Sequence, residues 1–267
     1  MNIYLRELKA HRKSIIIWSI SMLIFIAMSM QKYDALIGVE GGGAELIEML
    51  EAMPKFLQSM WGLSMLDITS PMGYYSVLFF YLALMAAIHA GMIGSGIIAK
   101  EERDRTVEFL LVKPVTRNKI ITSKLLAALT NVIIMNLAIF IPSFIVIKGI
   151  SSDSIFTSML LFMIGLFFIQ IIFMCIGALA ASINKNPKKS GMITMSILLS
   201  SFFISIIVDM NESFEILRFL SPFKYFDGKM LLLNGNINLG YIFLTFIIVT
   251  SCLVLMYKSY KRRDMKI

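Results

Sequence analysis

The chain has 267 residues, of which 58% are apolar and 16% charged, and its mean hydropathy is +0.79. A soluble domain carries roughly 45–50% apolar and about 25% charged residues. Here the apolar residues come in long runs, which excludes a single buried core and indicates a membrane protein. The net charge of +8 does not point to nucleic acid. Lys and Arg sit in short segments between the apolar runs, where they read as headgroup contacts and orientation signals.

Residues 2–13 are predicted to form an amphipathic interfacial helix. Tyr4, Leu5 and Leu8 fall in one sector and Asn2, Arg6, Lys9 and Lys13 opposite, a pattern suited to lying flat on a leaflet. Basic residues before an apolar run also occur in signal peptides, but no small-residue cleavage site follows and the run is long enough to span. A spanning helix needs about 20 mostly apolar residues. Six segments qualify: 14–30, 74–99, 120–147, 154–183, 190–208 and 239–257. Cys175 and Cys252 both lie inside these runs and read as small packing residues rather than a disulfide.

Between the first two spans, residues 31–73 are expected to form an external loop. It contains Gly41-Gly42-Gly43, then an amphipathic stretch with Leu46, Ile47 and Leu50 on one face and Glu45, Glu48 and Glu51 toward the other. Pro54 is expected to start a second short helix. The second span carries rows of small residues, Ala83, Ala87, Gly91, Ser95 and Ala99, with Ala86, Ala90 and Gly94 beside them. Such rows let helix backbones approach closely in lipid, either for packing within the subunit or as a sliding surface.

Charge sets the orientation. With six spans, the N-terminal segment, the 100–124 loop, the 184–189 turn and the C-terminal tail share one side and hold nineteen of the 25 Lys and Arg residues. The positive-inside rule places that side, with both termini, in the cytoplasm.

The most polar stretch is 100–124, KEERDRTVEFLLVKPVTRNKIITSK. Its first half continues the second span, with mixed-sign i,i+3 and i,i+4 pairs among Glu101, Glu102, Arg103, Asp104, Arg105 and Glu108. Phe109, Leu110 and Leu111 form an apolar knob, Pro114 ends the helix, and Thr116 is placed to N-cap the next one.

This segment, extended to KEERDRTVEFLLVKPVTRNKIITSKLLAAL, resembles the signature region of ABC-2-type permease subunits of bacterial ABC transporters. The opening NIYLRELKAHRKSIIIWS is similar to their amphipathic N-terminal helix and first span, and LSPFKYFDG at 220–228 resembles their segment before the last span. The resemblance implies one all-α transmembrane domain over 1–267, with six transmembrane helices and a cytoplasmic coupling helix between spans two and three that docks on an ATPase subunit. It assigns that coupling role to Glu101, Glu102, Arg103, Arg105, Thr106, Glu108, Phe109, Pro114 and Arg117, with a smaller contact at 184–189. It implies a second permease subunit, identical or unlike, a substrate path between the two, export across a bacterial cytoplasmic membrane, and lipids as surroundings.

The chain carries no ATPase motif of its own. Its single Gly-Lys pair, Gly228-Lys229, is followed by Met230, and Phe223 stands at the upstream glycine position, so the G-x-x-x-x-G-K-[ST] phosphate cradle is missing. ATP and Mg are expected on a partner ATPase, and no cofactor, metal site or catalytic residue is expected in this chain. Four polar residues at membrane depth, His89, Asn131, Asn136 and Gln170, are candidates for a substrate path or for interhelical hydrogen bonds. An intramembrane protease is disfavoured, because His89 and Ser95 are separated by about 120° around one helix and about 9 Å along it. An ion-coupled carrier is one alternative, although such proteins usually show paired charges within their spans and no Asp, Glu, Lys or Arg lies well inside a span here. A non-transporting membrane partner of an ATPase remains an alternative. The abundant Phe and Met fit apolar, adaptable walls and a lipophilic or peptide-like cargo.

Overall fold

The computed structural model describes residues 3–37, 42–54, 57–58, 67–104, 115–151, 155–184 and 186–262. The described residues hold no strand. In chain order they form α1 (Ile3–Ile37), α2 (Gly42–Glu51), α3 (Pro71–Arg103), α4 (Arg117–Ile150), α5 (Phe156–Ile183) and α6 (Pro187–Met210). A 3-10 helix (Glu212–Leu220), α7 (Pro222–Tyr225), α8 (Gly228–Asn234) and α9 (Leu239–Arg262) follow. Six of these, α1, α3, α4, α5, α6 and α9, are long and apolar enough to cross a membrane. The chain is an all-α polytopic membrane protein.

Local chemistry sets where the spans start. The Ser70 side chain accepts from the Gly73 N–H, with Pro71 in the first turn of α3. Thr116 accepts from Lys119 N–H at α4, and Asn186 accepts from Lys188 N–H at α6. Each cap satisfies a backbone donor that the helix leaves unpaired.

One boundary differs from the sequence reading. Residues 3–13 are not a separate helix, since α1 runs unbroken through Lys13 and Ser14. Nothing between Ile3 and Ile37 interrupts it, neither Pro nor Gly. Its inner stripe also differs: Ile3 and Glu7 are buried, whereas Leu5 is exposed. Most of the helix that Pro54 was expected to start lies outside the described residues.

α3 and α5 form the centre, packed along each other for most of their length, while α1 and α9 lie at the periphery. The small-residue rows of α3 make this pairing possible. A Cβ at Gly94 would lie 2.1 Å from the Met174 carbonyl oxygen, and one at Gly177 would lie 2.5 Å from that of Gly91. Backbone therefore meets backbone, and the rows serve packing within the subunit. Aromatic pairs fill the remaining core, Phe79 with Phe162 at 4.9 Å and Phe80 with Phe202 at 4.8 Å between ring centroids. The outer faces expose Ile17, Ile20, Leu23, Phe203, Phe243 and Phe246, as a surface solvated by lipid tails would.

Candidate functional site

The two ends of the helix bundle differ in chemistry. At the end where α3 leaves and α4 returns, several elements are tied together. Arg117 donates to the carbonyl oxygens of Tyr260 and Lys261 at 3.4 and 3.0 Å, where the last turn of α9 has no intrahelical donors. Thr122 Oγ1 and the Tyr257 hydroxyl lie 2.7 Å apart, and Ser259 donates to the Ser182 carbonyl at 3.0 Å. The starts of α1 and α4 and the ends of α3, α5 and α9 thus meet on one face of the protein.

Within this face sits a buried ionic cluster. Glu7 is fully buried and accepts from Lys100 Nζ at 2.9 Å and from Arg6 at 2.9 Å. Lys124 is also fully buried and donates to the Ile97 carbonyl at 2.5 Å. A buried carboxylate is tolerated only when paired and hydrogen-bonded, and Glu7 has both.

Of the residues assigned to coupling, Glu102 is half-buried, Arg103 is exposed and pairs with Asp104 at 3.0 Å, and Arg117 holds the end of α9. Arg105, Thr106, Glu108, Phe109 and Pro114 lie outside the described residues, as does the side chain of Glu101. Sequence reasoning missed Glu7. The signal was present in the i, i+4, i+8 spacing of Ile3, Glu7 and His11, which turns Glu7 toward the packed side of α1.

The family model described as ABC-2 family transporter protein matches residues 1–265. The chain belongs to the ABC-2 transporter family. It is accordingly a transmembrane permease subunit of an ABC transporter, and the family implies an ABC ATPase subunit as its partner. No curated protein matches its sequence.

At the opposite end of the permease, residues 221–228 are folded into the bundle. Ser221 donates to the Ser201 carbonyl at 2.8 Å. Phe223 packs on Phe173 at 5.3 Å and Phe226 stacks on Phe168 at 5.2 Å. Tyr225 stacks on Tyr241 and donates to the Phe219 carbonyl, and burial pushes its hydroxyl up to about 12. Lys224, 3% exposed, reaches both carboxylate oxygens of Asp209 at 2.6 and 2.7 Å and Asp227 at 2.6 Å. All three ammonium protons are used.

Burial opposes the Lys224 charge, but Asp227 and Asp209 outweigh it and hold its pKa above the ordinary lysine value. Burial likewise opposes the Asp227 charge, but Lys224 and the Lys229 N–H hold its pKa below the ordinary carboxylate value. Asp227 also N-caps α8 through that Lys229 N–H. At Gly228 a Cβ would lie 2.9 Å from the Phe79 ring, so the segment seats flush against α3. The Asp209–Lys224 pair spans 15 residues of sequence, a separation that no local pattern signals.

The four polar residues at membrane depth do not form one group. Asn136 donates to Gln170 Oε1 at 3.1 Å and to the Met163 carbonyl at 3.2 Å, joining α4 to α5. Asn131 donates to the Ala127 carbonyl one turn back in its own helix. His89 packs against Trp18 of α1 at 5.5 Å, and neither ring nitrogen has a hydrogen-bond partner among the described residues. His89, Asn131 and Gln170 are all buried within the subunit.

Proposed function

We propose that the permease exports a lipophilic or peptide-like compound from a bacterial cytoplasm, driven by an ATPase subunit that docks on the 100–124 segment. In this reading the face gathered around Glu7, Lys100, Lys124 and Arg117 is cytoplasmic, both termini lie there, and the 31–73 loop and residues 212–238 lie outside. The whole chain acts as one transmembrane domain and pairs with a second permease subunit, in the simplest case its own copy, with the substrate path between them. The observation that carries the reading is the coupling-type sequence at 100–124, which by sequence joins spans two and three on the side holding nineteen of the 25 Lys and Arg residues, where the positive-inside rule puts the cytoplasm. Glu101, Glu102, Arg103, Arg105, Thr106, Glu108, Phe109, Pro114 and Arg117 remain the proposed coupling residues. His89, Asn131, Asn136 and Gln170 remain the proposed substrate-path residues, although Asn131, Asn136 and Gln170 spend polar groups on contacts inside the subunit and His89 is buried there against Trp18.

Orientation is tested by single cysteines at Gly42 and Asn118 in a background without Cys175 and Cys252. In whole cells a membrane-impermeant thiol reagent should label Gly42→Cys and leave Asn118→Cys unlabelled, and the reverse pattern refutes the orientation. Docking is tested by purification in mild detergent, where the permease should carry an ABC ATPase of its host with it. Burying one Phe contributes about 1.5–3 kcal/mol, so Phe109→Ala should weaken that association about tenfold or more. Glu102→Ala should weaken it as well, while membrane abundance stays at the wild-type level. Unchanged association in both variants would place the docking surface elsewhere.

A further inference from the structure

We propose that Glu7 is a positioning residue for ATP-driven movement, fastening the start of α1 to both ends of the coupling segment. The inference rests on the permease reading above and adds to it a residue from a different helix. The chain leaves the bundle for the coupling segment at Lys100 and re-enters it at Lys124, and the first of these two lysines pairs with Glu7. Lys100 Nζ binds Glu7 Oε2 at 2.9 Å. The Lys124 charge acts on the Glu7 carboxylate as well, while its Nζ reaches across to the Ile97 carbonyl at 2.5 Å. That last contact staples the first turns of α4 to the last turns of α3.

Three elements are therefore linked, α1 to α3 through Glu7–Lys100 and α3 to α4 through Ile97–Lys124. The staple between α3 and α4 fixes the two ends of the coupling segment relative to each other, so a push on the segment arrives at the bundle as a movement of a pair of helix ends. Glu7 is the charged contact by which α1 follows that pair. The Glu7 carboxylate is fully buried, so it depends on its Lys100 and Arg6 partners for its charge. Removing the Glu7 charge takes from Lys100 its carboxylate partner on α1, so the ionic tie between α1 and the α3–α4 pair is lost. α1 is otherwise held by apolar packing along α4 and by the Tyr4–Thr130 hydrogen bond at 3.0 Å, and Glu7–Lys100 adds an ion pair that ties it to α3.

The test uses the full permease with its cognate ATPase in nanodiscs and ATP, Mg and vanadate as the probe, so no transported compound is needed. Spin labels at Lys13→Cys and Lys258→Cys, in a background without Cys175 and Cys252, report the distance between α1 and α9 with and without trapped nucleotide. With Glu7 present, trapping should change this distance. In Glu7→Gln the complex should still assemble and still trap nucleotide, but less than a quarter of the distance change should remain. Glu7→Asp, which keeps the charge, should recover at least half of it, a rescue that a purely space-filling role does not predict. Lys100→Gln should reproduce the loss and carries the test where Glu7→Gln does not fold. A full distance change in Glu7→Gln or Lys100→Gln overturns the proposal, as does a permease that binds its ATPase but shows no change with Glu7 intact. Failure of the wild-type chain to bind any ABC ATPase instead overturns the permease–ATPase reading beneath it.

Discussion

Lys224→Met is expected to lower the melting temperature of the detergent-solubilised permease by about 6 °C or more, the largest loss among single side-chain changes at this end of the bundle. The substitution keeps the length and apolar stem but leaves Asp209 and Asp227 as two carboxylates around an empty charge position. Breaking a buried ion pair by removing one partner costs about 3–5 kcal/mol, and 1 kcal/mol shifts the melting point of a chain this size by roughly 2–4 °C. The triple change Lys224→Met, Asp209→Asn, Asp227→Asn should recover most of the loss, because no uncompensated charge remains and Asn still caps α8.

The effect should depend on pH in a defined direction. Asp227 has a folded pKa below its ordinary value, so its contribution is present above the ordinary carboxylate range and is lost as pH falls through the depressed value. Lys224 has a raised folded pKa, so its contribution is present below the ordinary lysine value and is lost only as pH rises through the raised one. The difference between wild type and Lys224→Met should therefore persist across neutral pH and narrow in strong acid. A variant that melts within about 1 °C of wild type at neutral pH, on the same scale, would show that the cluster does not hold residues 221–228 in place.

Gly94→Ala should be comparably damaging through a different cause. Its Cβ would fall 2.1 Å from the Met174 carbonyl oxygen and 2.9 Å from the carbonyl carbon. The obstacle is the backbone of α5 rather than a movable side chain, so α3 and α5 must separate along their main contact. Overpacking of this kind costs typically about 1–3 kcal/mol, and a backbone-to-backbone clash belongs at the upper end. Gly96, two residues on in the same helix, has nothing within 4 Å of its would-be Cβ. Gly96→Ala should therefore be neutral or stabilising by up to about 1 kcal/mol through helix propensity. Thermal unfolding followed by size-exclusion chromatography separates the two. Equal melting points for Gly94→Ala and Gly96→Ala would show that the close crossing does not limit stability.

The sequence by itself determined the class, the six spans and the family. Apolar runs long enough to cross a bilayer are a local property, and Thr116 announces the start of α4 by its own side chain. The small-residue rows of the second span were also legible, but not what they face, because a row of Gly and Ala permits close approach without naming the partner. Only the tertiary structure decided that the partner is α5 within the same subunit. Charged residues show the same division. Read along the chain, Glu7 belongs to a polar helix start and Lys224 to a loop, since a charge in a polar segment carries no sign of burial. Besides the neighbouring Arg6 and Asp227, they pair with Lys100 and Asp209, 93 and 15 residues away, and pairing at that range is created only when the helices pack. In an apolar bundle an isolated charge is too costly to bury, so these few residues had to find one another. That requirement, set by the medium and met only by the fold, makes Glu7 and Lys224 the organising charges at the two ends of the permease.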